Sequence, residues 1–230
     1  MCFSATASFS AGALLLGIGT LTLRSALATR QRHALPFAAI PMLFAMQQLI
    51  EGVIWLTFAE EVTRINAVMT HVYSFFSHVL WPVYVPVAVM VMEPNGWRRR
   101  SLFAFAVAGA AVGTYLLLVL LAFPVVSRPT GQHIEYVSPH FFAAVTMTLY
   151  LLSTTASPLF STYRWVKAFG ALALLAFGAA YYFYATWFIS VWCLFAALLS
   201  TVIYLHFALR RGDACISRRV ATWPATQTSN

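Results

Sequence analysis

Apolar runs of membrane-spanning length, parted by arginine-rich gaps, take up most of this chain. A spanning helix needs about 20 mostly apolar residues. Seven stretches meet that need: about 4–23, 34–58, 66–91, 101–124, 138–158, 165–183 and 186–209. The last two are parted only around Tyr184-Ala185-Thr186, with neither charge nor proline, so a six-span reading with one long element competes. Charge placement chooses between them. With seven spans, Arg24, Arg30, Arg32, Arg98, Arg99, Arg100, Arg164, Lys167, Arg210, Arg211, Arg218 and Arg219 all fall on one side, and only Arg64 and Arg128 on the other. Six spans would strand the last four arginines on the wrong side. By the positive-inside rule the N-terminus lies outside and the C-terminus is cytoplasmic.

The expected fold is therefore all-α: an integral membrane bundle of seven transmembrane helices over residues 1–211, followed by a disordered polar cytoplasmic tail over 212–230. The composition agrees, at 61% hydrophobic and 9% charged, where soluble proteins carry roughly a quarter charged residues. The net charge of +8 is explained by orientation in a lipid bilayer and calls for no nucleic acid. Ala26-Leu27-Ala28 has the look of a signal-peptidase site, but no basic residue precedes the first apolar run, so the first helix is expected to stay. Pro82 and Pro86 lie inside the third span and should kink or unwind it, freeing carbonyls near mid-membrane. Segment 125–137 reads as the longest outer loop. Gly109-x-x-x-Gly113 permits close helix approach, within the bundle in preference to dimerisation; the oligomeric state stays open. No internal repeat of the kind found in many transporters is visible.

Glu51, within FAMQQLIEGVIWLTF, is the one acidic residue inside a span, and an intramembrane carboxylate is a functional-site hypothesis by default. Gln47, Gln48 and Trp55 share its helical face. Counted from the outer ends of their helices, Glu51 and Cys193 lie roughly 10 Å deep and His71 roughly 8 Å. His78 is two turns deeper than His71, and Cys2 and His140 lie at the same outer end. Cysteine, histidine and carboxylate are zinc ligands, and three of them leave a fourth position for an activated water. Cys2, Glu51, His71, His78 and Cys193 are the candidate metal ligands, with His71 preferred as ligand and His78 as relay. Glu51, His78 and Gln48 are the candidate catalytic groups. If Met1 is removed, Cys2 carries a thiol and a free α-amine together. Plainer readings compete: Glu51 hydrogen-bonded to Gln48 or a neighbouring serine, Cys193 as a small apolar filler, a Cys2–Cys193 disulfide, and an ordinary interfacial belt of tyrosine and tryptophan.

The opening MCFSATASFSAGALLLGIGTLTLR, the element QQLIEGVIW and the stretch FFSHVLWPVYVPVAV together resemble a bacterial membrane-protein family of unknown function, whose members begin MCFSATASF. The resemblance implies a bacterial cytoplasmic (inner) membrane location, multi-pass, and draws attention to Cys2, Gln47, Gln48, Glu51 and Trp55, but implies no reaction. The only lysine, Lys167, lies at the cytoplasmic end of the sixth span, so a retinal protein is excluded. The H-x-x-x-H pair of alkaline ceramidases is missing from the last helix. The functional expectation is a zinc-dependent membrane enzyme, a hydrolase or a carbonic-anhydrase-like hydratase (a lyase), acting on a small-molecule or lipid substrate. The alternative is a proton-coupled transporter or a small-ligand sensor using Glu51 and His78.

Overall fold

The computed structural model describes residues 4–29, 31–60, 62–131, 133–138, 142–183 and 199–209. Among them, four helices are long and apolar enough to cross a membrane: α1 (Ala5–Ala28), α2 (Arg32–Ala59), α3 (Thr63–Met92) and α4 (Trp97–Ala122). A two-stranded hairpin follows, β1 (Val126–Thr130) and β2 (His133–Val137), then helices α5 (143–159), α6 (Arg164–Phe183) and α7 (Leu199–Leu209). Large apolar side chains line the outside, with Leu121 76% and Leu175 70% exposed. An apolar exterior of that kind is stable against lipid and costly against water.

Local chemistry sets the helix boundaries. Ser4 caps α1, its hydroxyl accepting the Ala7 N–H at 3.2 Å, a bond that satisfies one of the orphan donors of the first turn. In α2, Pro36 and Pro41 each sit in the first turn of a helical segment, where a missing N–H breaks no bond. Helices α1 and α2 pack tightly. A Cβ at Gly19 would stand 2.9 Å from the Met42 backbone nitrogen, so only glycine fits there.

Helices α3 and α5 depart from regular geometry just ahead of a proline. Phe75–Leu80 of α3 and Leu152–Ala156 of α5 run as π-helix, directly ahead of Trp81-Pro82 and Ser157-Pro158. The expected unwinding of α3 thus takes the form of one wide turn. A proline has no N–H and its ring collides with the carbonyl four residues back, and widening the turn relieves both problems. Pro86 likewise removes the donor that would have bonded the Pro82 carbonyl. Gly109 of α4 packs on that carbonyl, and a Cβ built on Gly109 would fall 1.8 Å from the Pro82 oxygen. The proline and glycine signals therefore describe one contact.

The core centres on Phe37, Ile40, Phe44, Trp81, Val89 and Leu102. Phe44 and Trp81 stack at 4.0 Å, and Trp81 Nε1 donates to Gln47 Oε1 at 2.8 Å. At the end away from the hairpin, Glu93 is buried. Its carboxylate accepts the Thr162 N–H at 2.9 Å, Ser161 Oγ at 3.0 Å and the Thr162 hydroxyl. Glu93 thereby fixes the turn that leads into α6.

Segment 125–137, expected as an open loop, is instead the hairpin, with Val126 paired to Val137 and Thr130 to His133. Gly131 at its tip has φ +62°, which suits a tight two-residue connection. The expected tail, 212–230, lies outside the described residues.

Candidate functional site

The α2 face that carries Glu51 is sealed. Gln47, Gln48, Glu51 and Ile54 are all 0% exposed. Their spacing of three and four residues puts them on one stripe, which turns inward because its neighbours Phe44 and Ala45 belong to the core. Gln47 is satisfied by Trp81. Gln48 is not: neither atom of its side-chain amide has a hydrogen-bond partner among the described residues. The same holds for Trp55 Nε1, one turn beyond Glu51, and for Ser74 Oγ on α3. Each such group left without a partner would carry a desolvation cost of about 1–3 kcal/mol. From α1, Phe9 lies against Gly52, which brings the fully buried Ser8 level with Glu51.

Contacts between α2 and α3 fall in antiparallel register. Thr57 meets Asn66 through a 2.9 Å hydrogen bond, Ile54 shares a buried cluster with Tyr73, and Gln47 meets Trp81. Glu51 is therefore level with the π-turn that holds Ser77 and His78. His71 stands about two turns nearer the hairpin end, half-buried, its Nδ1 turned back on the Ala67 carbonyl at 2.8 Å. His78 Nδ1 lies 2.8 Å from Ser77 Oγ and 3.1 Å from the Ser74 carbonyl. Depth counted from helix ends made His71 the preferred ligand, whereas register places His78 beside the acid's level. That register comes from the contacts between α2 and α3, which counting inward from each helix end omits.

The hairpin covers this region. A chain of hydrogen bonds runs from Thr70 Oγ1 to Ser127 Oγ (2.8 Å), from Ser127 to Asn66 Oδ1 (2.9 Å) and from Asn66 Nδ2 to Thr57 Oγ1 (2.9 Å). Tyr136 stacks on Tyr73 at 4.5 Å, nearly parallel, and Ile134 is buried beside them. Burial holds His133 below the ordinary histidine range, and a positive charge acts in the same direction. The sequence reading missed this cover. Its signal was the alternation in His133-Ile134-Glu135-Tyr136-Val137, where Ile134 and Tyr136 point inward and Val137 is exposed.

Among the candidate ligands, Cys2 and Cys193 lie outside the described residues, as does His140 at the same outer end. Among the described residues, no three His, Cys, Asp or Glu side chains gather as a metal site. His206, at the far end of the bundle, is buried in an aromatic box of Phe37, Tyr163 and Phe207.

No curated protein and no solved structure matches the chain. A family model does match, over residues 1–219, and its description is a family of unknown function (DUF6629). With nearly the whole chain matched, the protein with the sealed Gln48–Glu51 face belongs to the DUF6629 family.

Proposed function

We propose that this chain is a multi-pass protein of the bacterial inner membrane, with seven helices over residues 1–211, the N-terminus outside and a cytoplasmic tail over 212–230. The distribution of arginines, the four long apolar helices and the apolar exterior support that reading. Within it, the face bearing Gln48 and Glu51 is the reaction centre of a metal-dependent enzyme, with zinc the first candidate. Glu51, His71 or His78, Cys2 and Cys193 would hold the metal, which would supply activation of a water as nucleophile. Gln48 would hydrogen-bond the substrate, and His78, where His71 is the ligand, would relay a proton. The substrate is small or lipid-derived, and the reaction a hydrolysis or a hydration.

One observation carries the reading: a fully buried carboxylate stands beside a fully buried amide whose donor and acceptor lack partners among the described residues. A cation offsets the burial of the acid, and a polar ligand satisfies the amide. Metal analysis of the purified protein tests it. Stoichiometric zinc that falls away in Glu51→Gln and Cys2→Ser is the expected result. Absence of stoichiometric metal, with neither variant altered, would end the proposal.

A second reading, a proton-coupled carrier, is favoured by one observation of its own. The register puts Glu51 level with the π-turn that carries His78, and π-turns inside helices recur at functional sites. Flux into proteoliposomes that depends on Glu51 would place it ahead of the enzyme.

A further inference from the structure

Cationic side chains gather at the end of the bundle away from the hairpin. Arg98, Arg99 and Arg100 open α4, and Arg164 and Lys167 open α6. The two helix starts are joined directly. Arg98 Nη1 donates to the Ser161 carbonyl at 3.3 Å and to Thr162 Oγ1 at 3.4 Å. The Arg98 guanidinium carbon lies 5.3 Å from the centre of the Trp97 ring, and that of Arg164 lies 5.5 Å from the centre of the Trp165 ring. Arg164 is exposed, and Trp97 is 64% exposed.

This positive charge is not neutralised locally. Among the described residues Glu93 is the one acid at this end, and it is 3% exposed. Both of its oxygens are taken, Oε2 by Ser161 Oγ at 3.0 Å and Oε1 by the Thr162 N–H at 2.9 Å. Just above the same turn the surface becomes apolar. Phe160, 36% exposed, leans on Phe105 of α4 with ring centres 5.0 Å apart. A cationic rim therefore borders an apolar seam between α4 and the turn into α6.

Orientation in a bilayer needs positive charge at this end and nothing more specific. It does not require a guanidinium fixed on the carbonyl of the facing turn, or an indole beside two of the guanidinium groups. An anionic phospholipid matches both features. Guanidinium forks pair with phosphate oxygens, clustered arginines at the end of a spanning helix attract anionic headgroups, and an indole suits the boundary between headgroup and acyl chain. The first amides of α4, which no side chain caps, favour an anion at the same end.

We propose that the joint of α4 and α6 is a binding site for an anionic phospholipid, its phosphate held by Arg98 and Arg164, its glycerol region against Trp97 and an acyl chain over Phe160. The site is separate from the Gln48–Glu51 face and rests only on the membrane reading above.

The test follows thermal unfolding of the full chain in detergent during titration with phosphatidylglycerol, phosphatidylcholine or inorganic phosphate. Phosphatidylglycerol at a hundredfold excess over its Kd should raise the unfolding temperature by roughly 5–10 °C, and the other two should not. Arg98→Gln/Arg164→Gln should weaken the lipid's Kd by roughly thirtyfold. Arg164→Gln alone, which leaves the Arg98 bonds to the turn in place, should weaken it by roughly fivefold. Arg64→Gln/Arg128→Gln, which removes two exposed arginines at the hairpin end, should leave it unchanged. An equal shift with phosphatidylcholine or inorganic phosphate overturns the site, as does an equal weakening in the Arg64/Arg128 pair. Chain released from cell membranes by alkaline carbonate overturns the membrane reading and the site together. Chain that stays in the membrane but shows no shift with phosphatidylglycerol overturns the site alone.

Discussion

Replacing Gly109 by alanine adds one methyl group at the closest helix contact described. The new Cβ would fall 1.8 Å from the Pro82 oxygen and 2.8 Å from its carbonyl carbon, with Ser153 Cβ at 3.2 Å. The first two atoms are backbone, so no side chain can rotate away and α4 must retreat from α3. Overpacking of this kind costs about 1–3 kcal/mol, and a backbone collision belongs at the upper end. Exchange of glycine for alanine inside a helix returns only about 0.5–1 kcal/mol, so the net effect is a clear loss. Gly17 is the internal control, since a Cβ there meets nothing within 4 Å, and Gly17→Ala should leave stability level or slightly raised. Thermal unfolding in detergent, followed by circular dichroism, compares the two variants with wild type. If Gly109→Ala unfolds at the wild-type temperature, or Gly17→Ala falls as far, the close packing of α4 on the proline-freed carbonyl is wrong.

Trp81→Phe keeps the stack on Phe44 but deletes the donor to Gln47 Oε1. The variant should lose about 1–3 kcal/mol in the same unfolding assay, whereas a loss below the noise would show that the bond contributes nothing. Asn66→Ala removes the residue that links Thr57 to Ser127. Amides of 126–137 should then exchange faster with deuterium while those of α1 keep their protection; equal protection would mean that the Thr70–Ser127 bond and the buried Tyr136 and Ile134 hold the hairpin without Asn66. The lowered pKa of His133 means the docked hairpin binds fewer protons than the released one. Its docking is therefore complete above the ordinary histidine value of about 6.5 and weakens as the pH falls through it. Exchange protection of the hairpin at pH 7.5 and 5.5, corrected for intrinsic rates, should show that loss, and His133→Gln should abolish the difference.

Much of the helix placement was legible because the length of an apolar run is a coarse rule that acts on each segment. Length of apolar run and position of arginines mark the helices, and α2, α3 and α4 lie close to the expected ranges. The first helix runs five residues beyond the expected Leu23, to Ala28. Thr22 and Ser25 are buried there, so burial and not apolarity sets its end. Glu51 was found because a carboxylate in such a run is conspicuous. Glu93 was passed over because it stands next to Pro94 in an evident loop, and only the return of the Ser161–Thr162 turn shows that it is sealed. The hairpin was read as a loop because Arg128, Pro129 and Gly131 look like loop residues when the strand partner is unknown. Proline is tolerated at a strand edge, and here it pairs with Ile134.

By itself the sequence determined where helices form, which gaps separate them and that one acid sits within an apolar face, since hydrophobic transfer and backbone satisfaction act on each segment alone. Which residue stands level with that acid was a tertiary decision. It depended on the wide turns ahead of Pro82 and Pro158, on Gly109 admitting the Pro82 carbonyl, and on the hairpin folding over α2 and α3. The last two are contacts between segments distant in the chain, and the energy of such a contact is absent from either segment read singly.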